Sequence, residues 1–241
     1  MSTDRREFLQ RLTLGSVALG SFPASLAAAE PDATGPTRAG SEWLALREEL
    51  EQQPAAPAFD TTWTAKLTGK YKTVFDVPEI TGGGGVWRAG LWSNHCRDVL
   101  KTEPADVSSV IVIRHAGIPL AMSHEFWDLY DVGKERKVTH PMTDKKTRRN
   151  PVLMNAEEDK MPPMLASIAL DKQMERGSVV LACNTAFGGM VSMVAKKDKL
   201  SNAEARKKAL TMLVPGVILQ PNGIFGVALA QHHGCTFVAA S

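Results

Sequence analysis

Cys183 stands where a thiol is most useful. It closes the apolar run Val179-Val180-Leu181-Ala182, and a helical pattern starts at once with Asn184 and Thr185 as candidate caps. A sulfur at a helix N-terminus faces unpaired backbone N–H groups and the positive end of the helix dipole, which stabilise a thiolate. A thiol nucleophile or a persulfide carrier needs that form. The alternative is a small apolar residue packed at the end of a strand. Other apolar runs also end in polar or basic residues. Residues 107–113 are followed by Arg114 and His115, and residues 216–219 by Gln220 and Asn222. The run at 71–77 leads to Gly82, Gly83, Gly84 and Gly85, then Trp87 and Arg88.

The glycine run lets backbone N–H groups approach a ligand without interference from Cβ, and a helix N-terminus follows it, which favours an anion. Arg88 adds charge. A tight, closely packed turn explains the glycines equally well. The run is neither G-x-G-x-x-G nor G-x-x-x-x-G-K-[ST], so no nucleotide is indicated and no cofactor is assigned. His95 and Cys96 are adjacent on a helical pattern, about 100° apart, and do not make a metal pair; no metal is assigned. Cys96 falls in an apolar band and reads as core. Residues 134–149 are rich in Lys and Arg without interleaved aromatics. A solvated loop is the expected reading, with an anion-facing lid as the sharper alternative; nucleic acid would need a stacking platform that is missing.

The elements that must position these groups alternate along the chain. Strands are expected over 70–77, 107–114, 178–183, 216–221 and 235–240. Helices are expected over 86–101, 123–130 (capped by Ser123), 164–176, 185–197, 202–213 and 223–234. The strands are short, β-branched and apolar, as in strands covered on both faces. The alternation predicts one α/β domain with a mostly parallel sheet of about five strands and helices on both faces. In such a sheet, ligands bind at the carboxyl ends of the strands. Cys183, Gly82, Gly83, Gly84, Gly85, Arg88, Arg114, His115 and Asn184 are therefore the candidate site, with Cys183 as its reactive group and the others binding a small anion.

The N-terminal residues read separately. Arg5 and Arg6 precede Phe8 and Leu9 at the spacing of a twin-arginine export signal, a mildly apolar stretch follows, and Ala27-Ala28-Ala29 suits cleavage after residue 29. Such a signal implies the twin-arginine translocase as partner and a periplasmic location, with a membrane tether only if the signal stays uncleaved. A chain exported folded permits a pre-loaded cofactor without requiring one. Residues 30–65 form an expected extension that wraps the domain, with a helix over 41–53, and the domain itself spans 66–241. The chain has 241 residues, 44% hydrophobic and 22% charged, with a net charge of +2; nothing in that balance argues for nucleic acid. Its cysteines, Cys96, Cys183 and Cys235, are too few for a disulfide framework.

Over roughly 70–240 the chain resembles the DsrE/DsrF-like family, whose fold is shared by sulfur-relay subunits of the TusD type. The strand, glycine turn and helix at 70–100 carry the resemblance. So do "VVLACNTAFGGMV" and the closing "LVPGVILQPNGIFGVALAQHHGCTFV". At Gly188-Gly189 the chain differs from the Arg-Gly common in the family. The resemblance implies a flavodoxin-like three-layer sandwich and assembly as a homo-oligomer, a trimer or hexamer. It also implies a persulfide sulfur on the cysteine matching Cys183. A non-catalytic small-anion-binding or oligomeric assembly module remains the alternative.

Overall fold

The computed structural model describes residues 59–140, 146–153 and 161–240, all within the unit Pro57–Ser241. The expected export signal with Arg5 and Arg6, the helix expected over 41–53 and residues 30–58 of the expected extension lie outside the described residues.

The strands are β1 (Tyr71–Val77), β2 (Val107–Ile113), β3 (Val179–Cys183), β4 (Ile218–Gln220) and β5 (Thr236–Ala239). They form one five-stranded sheet in the order β4-β3-β2-β1-β5, and every pairing is parallel. The helices are α1 (Gly84–Leu100), α2 (His124–Leu129), α3 (Val132–Glu135), α4 (Pro163–Ser167), α5 (Leu170–Glu175), α6 (Asn184–Asp198), α7 (Asn202–Thr211) and α8 (Gly223–His232). The architecture is the expected α/β sandwich of the flavodoxin-like type.

The layering follows from handedness. The chain steps from β1 to β2, β3 and β4 in one direction, and right-handed crossovers put the connecting helices on one face. The return from β4 to β5 runs the opposite way, so its helix, α8, falls on the other face. Strand alternation then divides the core in two. Phe75, Val77, Ile111, Ile113, Val180 and Ala182 pack with residues of α1, α2, α5, α6 and α7. Val74, Val110, Val112, Val179 and Leu181 pack with Ala230 of α8 and with Trp63. Trp63 sits fully buried in a 3₁₀ turn, Thr62–Lys66. The described end of the expected extension thus covers the α8 face. Because both faces are covered, the central strands are apolar without alternation.

Two local features differ from the sequence expectation. The helix expected over 164–176 is broken into α4 and α5. Ala169 is extended there (φ −57°, ψ 153°), so Ile168, Ala169 and Leu170 are consecutively and fully buried, which one continuous helix does not allow. The strand expected over 216–221 shortens to Ile218–Gln220. In the basic stretch 134–149 the described cations Lys134, Arg136, Lys137, Lys146 and Arg148 are exposed, as expected of a solvated face, while Val138, His140 and Thr147 are buried between them. Asn150, just beyond it, is fully buried and donates from Nδ2 to the carbonyls of Leu120 (2.8 Å) and Met122 (2.7 Å). Arg148 pairs with Asp128 at 2.7 Å. Backbone carbonyls that no regular element satisfies need such a partner, and the segment is drawn down to supply it.

Candidate functional site

The carboxyl ends of β1 to β4 carry polar side chains on the α8 face. Cys183 is paired with Gln220 in the β3–β4 register. Ala182 is paired with Ile113, so Arg114 is the next neighbour of Cys183 on the other side. Val112 and Leu181 belong to the α8-side core, and residues two further along a strand point the same way. Contacts with α8 agree. A Cβ at Gly223 would meet Arg114 Cβ at 2.5 Å and Cδ at 2.6 Å, and a Cβ at Gly226 would lie 3.7 Å from Gln220 Cγ. Gln220, Cys183 and Arg114 therefore form a lateral row beneath the first turn of α8, and Asp76 of β1 reaches into it.

Arg114 is held by a two-pronged bond: Nε donates to Asp76 Oδ1 (2.6 Å) and Nη2 to Oδ2 (2.7 Å). Such a fork is stronger than a single neutral hydrogen bond and fixes the guanidinium plane. The bond to Asp76 raises the Arg114 pKa above its ordinary value, against the opposing effect of burial; the charges of Asp76, Cys183 and Glu79 raise it further. A cation is thus fixed within electrostatic reach of the Cys183 sulfur.

Cys183 is 6% exposed. It is the N-cap of α6, and its Sγ accepts a hydrogen bond from the amide of Ala186 at 3.4 Å. This corrects the expectation that Asn184 or Thr185 caps the helix. Those residues open α6, and their side chains are engaged elsewhere. Asn184 Oδ1 accepts from Arg206 Nη2 at 2.6 Å, and Thr185 Oγ1 donates to the carbonyl of Pro221 at 3.2 Å. Arg206 also stacks over Phe187, 5.6 Å from the ring centre, so Asn184 is turned toward α7.

Two of the four glycines, Gly83 and Gly85, are used in packing. A Cβ on Gly83 would lie 2.3 Å from Val152 Cγ1, and one on Gly85 would lie 2.5 Å from the carbonyl oxygen of Ala240. Gly82 and Gly83 have positive φ (60° and 91°), and the Gly82 carbonyl accepts from Trp87 Nε1 at 3.2 Å. Gly82 is the open one, with nothing within 4 Å of its Cβ position, and a Cβ on Gly84 would meet Thr81 Oγ1 at 3.4 Å and Arg88 Nη1 at 4.0 Å. His115 is in the left-handed region (φ 49°) and 70% exposed, with Nδ1 3.5 Å from Glu79 Oε1.

His115 and the glycine turn flank a second feature. A cleft of about 540 Å³ at the same edge is lined by Glu79, Thr81, Gly82, Ala116, Arg136 and Lys137 among others. Its cations come from the basic stretch. The structure therefore joins Cys183 with Arg114, and Gly82 with the loop after β2, while Asn184 joins neither group.

Asp76, Gln220 and Gly223 complete the row, and sequence reasoning did not assign them to it. Asp76 left a signal, as the lone carboxylate in "TVFDV". Gln220 Oε1 is buried and without a hydrogen-bond partner, while its Nε2 donates to the Asp60 carbonyl at 2.7 Å. Cys96, Cys183 and Cys235 are all buried and unpaired. Among the described residues no helix is long and apolar enough to cross a membrane.

Comparison with family models, with curated proteins and with solved structures finds no match.

Proposed function

We propose that Cys183 carries sulfur as a persulfide, taken from a small anionic donor at the carboxyl edge of the sheet. The observation that carries this reading is the position of the sulfur. Cys183 Sγ caps α6 through the Ala186 amide and lies beside an arginine whose plane Asp76 fixes. Both groups favour an anionic sulfur, in the thiolate and in the persulfide alike. With a sulfane-sulfur donor such as thiosulfate, the thiolate attacks the outer sulfur, the donor S–S bond breaks, and sulfite leaves with that bond's electron pair. The product is a Cys183 persulfide anion, and no outside oxidant is needed. The resemblance of 70–240 to the DsrE/DsrF-like family supports the same cysteine. In this reading the protein works in the periplasm after twin-arginine export and assembles as a homo-oligomer. Exposed Ile224 on α8 and Phe237 on β5 favour assembly.

The test is mass spectrometry of the full chain after incubation with thiosulfate. One added sulfur on Cys183 is expected, with none after Cys183→Ser. Cys96 and Cys235 should remain unmodified, because burial pushes both thiol pKa values up and only thiolates react. An unmodified Cys183, or equal labelling of Cys96, sinks the reading.

A second reading rests on the cleft lined by Gly82, Arg136 and Lys137. There the protein holds a small anion without chemistry, and Cys183 only packs. Arg136→Gln with Lys137→Gln should then weaken sulfate or thiosulfate binding roughly tenfold or more by calorimetry, while Cys183→Ala leaves it unchanged. The opposite pattern favours the thiol.

A further inference from the structure

Cys183 is only 6% exposed, yet a thiol that takes up sulfur must meet its donor. Two pieces lie over its row on the α8 side. One is the first turn of α8, where Gly223 is pressed against Arg114. The other is the segment 59–68, which leads into β1 and carries Trp63. It meets the row at Gln220, the register neighbour of Cys183. Gln220 is fully buried, and its Nε2 donates to the Asp60 carbonyl at 2.7 Å.

The two pieces are held very differently. α8 packs on all five strands and is joined to the sheet through β4 and β5. In the segment 59–68 only Trp63 and Leu67 are buried, while Asp60, Thr61, Thr62, Ala65, Lys66 and Thr68 are exposed. Trp63 fills the α8-side core, but its indole Nε1 is buried without a hydrogen-bond partner, which weakens the anchor. Among the described residues one hydrogen bond, from Gln220 to Asp60, joins 59–68 to the rest of the domain. The next tie is at Gly69, whose N–H donates to Ser108 Oγ at 2.9 Å. The segment's other bonds are internal. Asp60 Oδ1 accepts from the Thr62 N–H (2.8 Å), and the Leu67 N–H donates to the Thr64 carbonyl (3.1 Å). Lifting the segment therefore costs two apolar anchors and one hydrogen bond to the domain.

We propose that the segment 59–68 is a gate over the thiol. Seated, it closes Cys183 behind Gln220. Lifted at Trp63, it releases the Gln220 amide and opens the row to a small donor from the β4 side. Peripheral segments with few buried contacts open in this way without unfolding the domain. The gate rests on the reading of Cys183 as a sulfur carrier and adds the control of access to it. Once seated again, it keeps a Cys183 persulfide from solvent thiols, whose attack depends on access.

A second cysteine gives this motion an internal scale. Cys96 is as buried as Cys183, at 5% exposure, but stands on α1, on the opposite face of the sheet. Lifting 59–68 uncovers Cys183 and leaves Cys96 closed. Unfolding of the domain uncovers both. The ratio of their labelling rates separates the gate from global opening.

The experiment is a time course of iodoacetamide labelling of the full chain under native conditions, with the label located by mass spectrometry. In the parent, Cys183 should label faster than Cys96 and much more slowly than in the denatured chain. Trp63→Leu, which shrinks the anchor, should raise the Cys183 rate by about tenfold or more. Gln220→Met, which removes the donor to Asp60 at similar volume, should raise it by about threefold or more. Neither should change Cys96. The milder Gln220→Met carries the test if Trp63→Leu does not fold. A parent Cys183 that labels as fast as in the denatured chain, an unchanged rate in the folded variants, or an equal rise at Cys96 would each overturn the gate. Labelling needs access alone, so the gate can pass this test while thiosulfate adds no sulfur to Cys183. Equally, sulfur uptake at Cys183 with labelling unchanged in the variants leaves the carrier standing without the gate.

Discussion

Asp76→Ala is expected to lower the stability of the protein by about 3 kcal/mol, measured by chemical denaturation. The substitution leaves Arg114 without the carboxylate that holds both prongs of its guanidinium. Breaking a buried ion pair from one side costs about 3–5 kcal/mol, because the remaining charge is stranded. The Arg114 side chain keeps 29% exposure, which places the expected loss at the lower end. The double variant Asp76→Ala, Arg114→Met should recover about half of that loss or more, since removing both charges removes the stranded one. A single variant as stable as the parent would show that the fork contributes nothing. A double variant no better than the single would assign the loss to packing.

Gly223→Val should be comparably damaging, by about 2–4 kcal/mol. Gly223 is the first residue of α8, and a Cβ there would come within 2.5 Å of Arg114 Cβ and 2.6 Å of its Cδ. The nearest atom is the root of the arginine side chain, anchored at the end of β2, so rotation cannot relieve the clash. Either α8 moves off the sheet or Arg114 leaves Asp76. Gly189→Ala is the contrast. Gly189 lies within α6 with nothing within 4 Å of its Cβ position, and the change should stabilise by about 0.5–1 kcal/mol through helix propensity. If both glycine variants lose stability equally, the close approach at Gly223 is not the cause.

These two predictions turn on contacts that were unequally visible in the sequence. Apolar runs bounded by turns announced the strands, because a strand buried on both faces has no polar alternation to hide it. Strand–helix alternation then implied a parallel sheet with its site along one edge, and Cys183 and Arg114 do stand there. The break between α4 and α5 was hidden. Residues 164–176 satisfy a helical pattern locally, and only the space under Gly90, where Ile168 packs, asks for consecutive buried residues. In the basic stretch the charges do face water, as their composition suggested, whereas the burial of Asn150 just beyond it depends on Leu120 and Met122, far from it in sequence.

By itself, then, the sequence determined the order and type of most elements, the parallel sheet, and the edge on which Cys183, Arg114, His115 and the glycine turn lie. Those depend on period and composition, which are local properties of the chain. Tertiary structure decided the partners: that Arg114 is clamped by Asp76, that Cys183 itself caps α6 while Asn184 turns to Arg206, and that Gly83 and Gly85 make room for Val152 and Ala240. Each of these joins residues brought together by strand register or helix docking. Register and docking are set by the packing of the whole domain, which no short window of sequence contains.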